Sequence, residues 1–292
     1  MTAAAHPFDW HLHAVWLLAL LALVVWYLRA TQRAGSHATT RQKVLFLGGV
    51  VLLAVALTWP LGDLASHWLL LALVLQRLLL VLAVPPLLVL GVPRPIIARL
   101  TRPAAVDAVL RVAERPVPAV VIVTVVAIGT LTVGAVSLAA HSVVARGVIE
   151  LVVLLSGFVL WAPVLTELPG APRLSALGRG GYLIVQSIVP SFLSIVWIFA
   201  RHPLYPTFAH DGTVAGVKPL LDQELAGFLA KLSTIAVLWT VAFVLMTRAQ
   251  ADETAGRETQ PLVWSDVERE IERADRRDRR QGWPGSAPPG PS

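Results

Sequence analysis

The chain of 292 residues contains no cysteine and only two methionines, Met1 and Met246. Disulfide bonds, thiolate metal sites, covalently attached haem and thiol redox chemistry are therefore excluded. A methionine-rich copper site is excluded as well, since it needs several thioether ligands. The sequence has no glycine-rich phosphate loop and no GxGxxG segment between a strand and a helix. No nucleophile is paired with a base, and these absences together predict that the protein is not an enzyme.

Charged residues are also scarce: they make up 14% of the chain, whereas 56% is apolar and the mean hydropathy is +0.69. Each long apolar run is close to the roughly 20 residues that a helix needs to cross a bilayer. Helices are expected because every backbone amide in lipid must find its partner within its own segment. The sequence predicts an all-α integral membrane protein, a bundle of seven transmembrane helices. The runs cover residues 10–28, 44–60, 67–91, 118–139, 147–165, 181–200 and 224–247.

Basic residues are concentrated in every second link between the runs. The links 29–43, 92–117 and 166–180 and the tail after residue 247 hold 19 of the 24 Lys and Arg residues. Because basic loops stay cytoplasmic, the amino terminus is predicted outside and the carboxyl terminus inside. Orientation and attraction to anionic lipids explain the net charge of +6, so membrane lipids are expected partners and nucleic acid is not.

This topology predicts three parts: an outer segment 1–9, a transmembrane domain 10–247 and a cytoplasmic tail 248–292. In the tail, Ser265 and Glu268 form a capping-box pattern that predicts a short charged helix over about 266–280, followed by a disordered end. The link 92–117 is predicted to contain an amphipathic segment on the inner surface, with an ordinary solvated linker as the alternative. Pro85 and Pro86 predict a kink whose free carbonyls a neighbouring helix must satisfy.

Five ionisable residues fall within or at the outer ends of the runs: Arg77, Glu150, Asp222, Glu224 and Lys231. Arg77 lies near mid-bilayer, where an arginine costs about 3 kcal/mol on insertion scales and therefore needs a partner. Two interpretations remain open. The residues form either a polar site open to the outer face or hydrogen bonds that hold the helices together.

Seven of the eight histidines are predicted on the outer side, where imidazoles could gather around copper or zinc. His11, His13 and His67 are the candidate metal ligands. No pair of histidines has the i, i+4 spacing of two ligands on one helix. Scattered histidines at the membrane interface are therefore the alternative interpretation.

Four segments resemble the CtaG family of bacterial cytochrome c oxidase assembly factors. They are QRLLLVLAVPPLLVLGVP (76–93), FVLWAPVL (158–165), TWPL (58–61), and RHPLYPTFAH (201–210) with PLLDQELAG (219–227). The resemblance extends over about residues 8–247. It implies a seven-helix protein of the bacterial plasma membrane that serves the maturation of haem–copper oxidase at its copper centre. Copper is thus the implied cofactor, and cytochrome c oxidase subunits are the implied partners.

The chain departs from this family at the histidines that would be intramembrane copper ligands. A His-x-x-Gln-His motif corresponds here to Leu73–Arg77, a Trp-His pair to Leu131-Thr132, and a His-x-x-Glu-His motif to Gly147–Leu151. Gln76 and Glu150 remain. The resemblance therefore implies a divergent member without the metal, in which Arg77 and Glu150 form an ion pair.

The predicted function is that of a membrane-embedded assembly or accessory factor for haem–copper oxidase. The alternative is a membrane protein that binds or transports a small polar molecule or ion without a metal role. A retinal protein is disfavoured because the third run has no carboxylate as counter-ion for Lys231. The predicted site comprises Gln76, Arg77, Glu150, Asp222, Gln223, Glu224 and Lys231, with His67, Tyr205 and His202 as further outer-face candidates.

Overall fold

The computed structural model describes residues 13–33, 38–165, 174–209 and 216–259. The chain divides into two units, Met1–Leu245 and Met246–Ser292, and the contacts discussed below lie within the first. The predicted segment 1–9 and the predicted helix 266–280 lie outside the described residues.

The described residues form helices and no strand. The α-helices are α1 (Ala14–Arg33), α2 (Thr40–Leu57), α3 (Leu61–His67), α4 (Leu70–Leu78), α5 (Val84–Gly91), α6 (Arg94–Leu100), α7 (Ala104–Ala113), α8 (Pro116–Thr130), α9 (Val133–His141), α10 (Val143–Trp161), α11 (Ala176–Phe199) and α12 (Pro219–Thr259). A π-helix (Leu79–Ala83) joins α4 to α5, and a 3-10 helix covers Pro206–Phe208.

Six helical segments in the described chain are long and apolar enough to cross a membrane. A seventh is obtained if α7 and α8, which meet at an angle of 92°, are counted as one bent span. The prediction of an all-helical, multi-pass membrane protein is confirmed. The placement of the two termini on opposite sides stays a prediction.

The fourth apolar run, 118–139, is not one helix. It is divided between α8 and α9 at Leu131-Thr132. Thr132 caps α9, because its hydroxyl accepts a hydrogen bond from the Ala135 N–H at 3.3 Å. Hydropathy does not detect this break, since a capping threonine can end one apolar helix and begin the next.

The two prolines of the third run are accommodated by the π-helix that precedes them. Pro85 has no N–H to donate to the carbonyl of Val81, four residues earlier. That carbonyl instead accepts a hydrogen bond from the indole N–H of Trp161 on α10, at 3.0 Å. Gly157 permits this approach, since a Cβ there would lie 2.8 Å from the Leu80 carbonyl oxygen. The expected compensation by a neighbouring helix is confirmed for the carbonyl of Val81.

Two other close contacts between helices also depend on glycine. At the far end of the third span, a Cβ on Gly91 would lie 2.5 Å from the backbone nitrogen of Phe46, so only glycine allows α2 and α5 to cross there. Between α11 and α12, a Cβ on Gly227 would lie 2.9 Å from the carbonyl oxygen of Ser194. Glycines thus set the spacing between α2 and α5 and between α11 and α12.

The link 92–117 contains α6 and α7. The predicted helical segment is present as α7, where Asp107 and Arg111 form an i, i+4 ion pair of 2.8 Å on one side. Val106, Val109 and Val112 are exposed on this helix. Its predicted location on the inner membrane surface stays a prediction.

Candidate intramembrane polar site

Asp222 of α12 caps a different helix, α4. The residue that precedes α4, Leu69, provides no side-chain cap. The Asp222 carboxylate instead accepts hydrogen bonds from the Leu70 N–H at 2.6 Å and the Leu71 N–H at 3.0 Å. A carboxylate at this position satisfies two amides at the helix amino terminus and is favoured by the helix dipole. The contact fixes the third span against the last one.

Gln223 anchors the segment that follows α11. Its side-chain oxygen accepts a hydrogen bond from the Leu204 N–H at 2.7 Å. Its amide nitrogen donates to the carbonyl of Trp197 at 3.3 Å. One buried side chain therefore holds both the end of α11 and the loop beyond it.

Tyr205 connects the same loop to the break between α8 and α9. Its hydroxyl donates to the carbonyl of Leu131 at 2.7 Å. The ring packs edge-on against Trp197, with 6.2 Å between the ring centroids. Burial raises the pKa of the Tyr205 phenol, which keeps the hydroxyl protonated and able to donate.

Gln76 and Glu150 form a second polar group, between α4 and α10. The Gln76 amide nitrogen donates to the carbonyl of Ala56 at 2.8 Å and to Oε1 of Glu150 at 3.1 Å. The other carboxylate oxygen, Oε2 of Glu150, is buried without a hydrogen-bond partner among the described residues. Glu150 is thus held by an uncharged group and is only half satisfied.

The expected ion pair between Arg77 and Glu150 is not formed. The two side chains interact electrostatically, but the described structure contains no contact of 4.0 Å or less between their charged atoms. Arg77 is 9% exposed, and its Nε and Nη1 atoms are buried without hydrogen-bond partners. Gln76 is hydrogen-bonded to Oε1 of the carboxylate, whereas the guanidinium group has no direct partner among the described residues.

Arg146 is a member of this group that the sequence prediction missed. It lies four residues before Glu150 on α10 and interacts electrostatically with that carboxylate. Its Nε donates to the carbonyl of Ala139 at 3.3 Å. The i, i+4 spacing of Arg146 and Glu150 was the signal that could have identified it.

Arg77 lines two cavities. The smaller one, about 20 Å³, is lined by Leu73, Gln76, Arg77, Arg146 and Glu150, together with small residues of α3 and α9. The larger one, about 110 Å³, lies among α4, α8, α10, α11 and α12. The smaller cavity has room for about one water molecule and the larger one for several.

The larger cavity also contains a polar residue absent from the predicted site, Gln186 of α11. Gln186 is 1% exposed, and its Oε1 atom has no hydrogen-bond partner among the described residues. Its position in the interior of an apolar run was the available signal, because a buried amide normally has partners.

The other predicted residues do not join either group. Glu224 and Lys231 are half-buried on α12 and line neither cavity. His67 ends α3 and His202 lies in the loop after α11, and both are exposed. The single predicted cluster is therefore divided into a set that holds helix ends and a set around Arg77.

The candidate metal histidines are not gathered at one place in the described chain. His13 bonds Asp63 at 2.9 Å, His67 is exposed, and His11 lies outside the described residues. Where residues are described, no group of three or more His, Cys, Asp or Glu side chains is placed to hold a metal ion.

Comparison with protein families shows to which family this chain belongs. The family model for the cytochrome c oxidase caa3 assembly factor (Caa3_CtaG) matches residues 8–251, more than four fifths of the chain. The chain belongs to the CtaG family. Comparisons with curated proteins and with solved structures gave no match.

The smaller cavity is lined by positions that were compared with CtaG motifs in the sequence. Four of the motif positions quoted from the sequence, Leu73, Gln76, Arg77 and Glu150, line this one cavity although they come from two helices. Positions in the third and fifth runs that were compared with the family motifs therefore meet at one cavity, whether they agree with the motif or depart from it.

Proposed function

We propose that this CtaG-family protein supports the maturation of a haem–copper oxidase in the bacterial plasma membrane, without catalysing a reaction and without holding copper in its smaller cavity. The observation that supports the absence of copper is the charge of the smaller cavity. Its lining includes two guanidinium groups, Arg77 and Arg146, against a single carboxylate, Glu150.

This set of side chains does not fit a copper ion. Copper is held by imidazole, thiolate or thioether ligands, and none of these is among the described residues that line the cavity. A guanidinium group has no lone pair to donate, and its positive charge repels a cation. Arg77 and Arg146 would thus oppose metal entry at the place where the family resemblance implies ligands.

The part of the chain that we propose to meet the oxidase is the predicted outer face. Gln223 and Tyr205 fix the loop after α11, and Asp222 fixes the start of α4. These contacts give the end of the bundle a defined shape, which is what recognition of a partner subunit requires. We propose that this end contacts oxidase subunits during assembly.

The functional part is tested by deleting the gene and measuring haem–copper oxidase activity in isolated membranes. Deletion should lower the activity, and the wild-type gene should restore it. Gln223→Leu, which releases the loop, should restore it only in part at equal protein level. Arg33→Met, a change at the exposed end of α1, is the control and should restore it fully. Unchanged activity in the deletion strain contradicts the proposed role.

The metal part is tested by the copper content of the full-length purified protein. After exposure to copper and exhaustive dialysis, the wild-type protein should retain far less than one copper per chain. Stoichiometric copper that survives dialysis would show that the cavity, or another site in this chain, holds the metal after all.

A further inference from the structure

We propose that the larger cavity binds a small monocarboxylate with a short aliphatic chain, and that the carboxylate pairs with Arg77. This inference does not rest on the proposed role in oxidase assembly. It follows from the charge, the unpartnered polar atoms, the wall and the size of the cavity.

The charge of the cavity points to an anion. Arg77 is the only charged side chain among the described residues that line it. The Nε and Nη1 atoms of this guanidinium have no hydrogen-bond partner in the described chain. A buried charge is unfavourable unless an opposite charge and hydrogen bonds compensate it. An anion supplies both to Arg77.

The neighbouring charges do not remove this requirement. Glu150 is hydrogen-bonded to Gln76 and makes no ion pair with Arg77. It also interacts with a second cation, Arg146. Two cations share this one carboxylate, and Arg77 has no hydrogen-bonded counter-ion among the described residues.

A second polar group of the cavity can contribute to binding. The Oε1 atom of Gln186 has no hydrogen-bond partner among the described residues, and the side chain lines the same cavity as Arg77. In a complex, a carboxylate oxygen would accept from the N–H groups of this amide, and the unpartnered Oε1 would accept from a water molecule beside the ligand. A guanidinium and an amide then offer donors to one ligand from α4 and α11.

The rest of the cavity wall favours a ligand whose other end is a hydrocarbon chain. Most of the lining is aliphatic, with Leu78, Val123, Leu160, Leu193 and Leu238 among its residues. A small-molecule site typically combines such an apolar wall with a few polar groups that fix orientation. An inorganic anion would leave this wall without contacts, whereas a short hydrocarbon chain would fill it.

The size of the cavity limits the length of that chain. An apolar cavity of about 150 Å³ is known to accept benzene. The present cavity, at about 110 Å³, therefore suits a ligand of about four to six non-hydrogen atoms. Butyrate has this size and is the probe for the test.

Binding is measured by equilibrium dialysis of radiolabelled butyrate against the full-length protein in detergent micelles. The expected result is saturable binding of one butyrate per chain. Unlabelled butyrate should displace the label, whereas butyramide, which has nearly the same shape but no charge, should not. Empty micelles give the background from partitioning.

Two variants locate the site. Arg77→Met combined with Glu150→Gln removes the cation without leaving its neighbour as an uncompensated carboxylate. Ala230→Leu fills the cavity and leaves Arg77 unchanged, because Ala230 lines it from α12. The double variant should weaken butyrate binding about tenfold or more, the range expected for loss of a charged hydrogen bond. Ala230→Leu should weaken it by a similar factor because the larger side chain occupies the volume of the ligand. Arg33→Met is the control and should bind like the wild type.

Three results would overturn the proposal. One is a folded wild-type protein without saturable butyrate binding, in which water alone occupies the cavity. Another is a folded Ala230→Leu protein that binds butyrate as tightly as the wild type does. The third is equal displacement by butyramide, which would remove the role of the charge. None of these results depends on oxidase activity, so failure here is distinct from failure of the proposed assembly role.

Discussion

The polar side chains at the end of the bundle and those around the two cavities differ in how completely they are satisfied. Asp222, Gln223 and Tyr205 each bond to backbone groups at or near the end of a helix. Arg77, Glu150 and Gln186 each keep at least one buried polar atom without a partner in the described chain. Both sets are polar residues in or beside apolar helices, and hydropathy treats them alike.

The difference separates a structural role from a binding role. Helix ends leave amides and carbonyls that must find partners, so a side chain that meets them stabilises the fold. A buried polar atom without a partner is costly and is retained where a ligand or water completes it. The comparison predicts that mutations in the first set lower the stability, whereas apolar substitutions in the second set leave it nearly unchanged or raise it.

The largest effect is expected for Asp222→Ala. The substitution leaves the Leu70 and Leu71 amides without their charged acceptor, at a cost of about 2–4 kcal/mol in the free energy of unfolding. Unfolding by titration with SDS in mixed micelles measures it. Glu224→Ala, two residues further along α12, is the control and should change the free energy by less than about 0.5 kcal/mol. Equal effects of the two variants would refute the capping role.

A smaller loss is expected for Tyr205→Phe. The variant keeps the ring packing against Trp197 and loses only the hydrogen bond to Leu131, which corresponds to about 1 kcal/mol. The same SDS titration measures the loss. If the stability were unchanged, the bond between the loop and the α8–α9 break would not contribute to holding the end of the bundle.

The smallest effect is expected for Gln186→Leu. This apolar residue of similar size removes a buried amide that has no partner, so the stability should stay within about 0.5 kcal/mol of wild type or rise. A loss as large as that of Tyr205→Phe would show that Gln186 supports the fold, and the distinction between the two sets would fail.

The helical membrane fold could be predicted because its causes are local. Long apolar runs allow only helices in a bilayer, and a proline removes a donor wherever it stands. The carbonyl left by Pro85 did need a neighbour, although only the fold shows that the neighbour is Trp161. The break at Leu131-Thr132 was missed, since a capping threonine changes the local backbone without changing hydropathy.

The candidate site was predicted only in part, because its contacts join distant parts of the chain. Arg77 and Glu150 were identified as buried charges, but their direct ion pair was wrong. Gln76, adjacent in sequence to Arg77, bonds the carboxylate instead. Arg146 and Gln186 each had a signal in the sequence, but only the packing of α10 and α11 beside α4 shows that they line cavities with Arg77.

The sequence by itself determined that this protein is a multi-pass helical membrane protein, because hydrophobicity and backbone hydrogen bonding act along each segment separately. Its motifs also pointed to the CtaG family. The tertiary structure decided which buried polar groups are satisfied and which are not. That outcome depends on distances between side chains and backbone groups on different helices, and no local pattern in the chain encodes them.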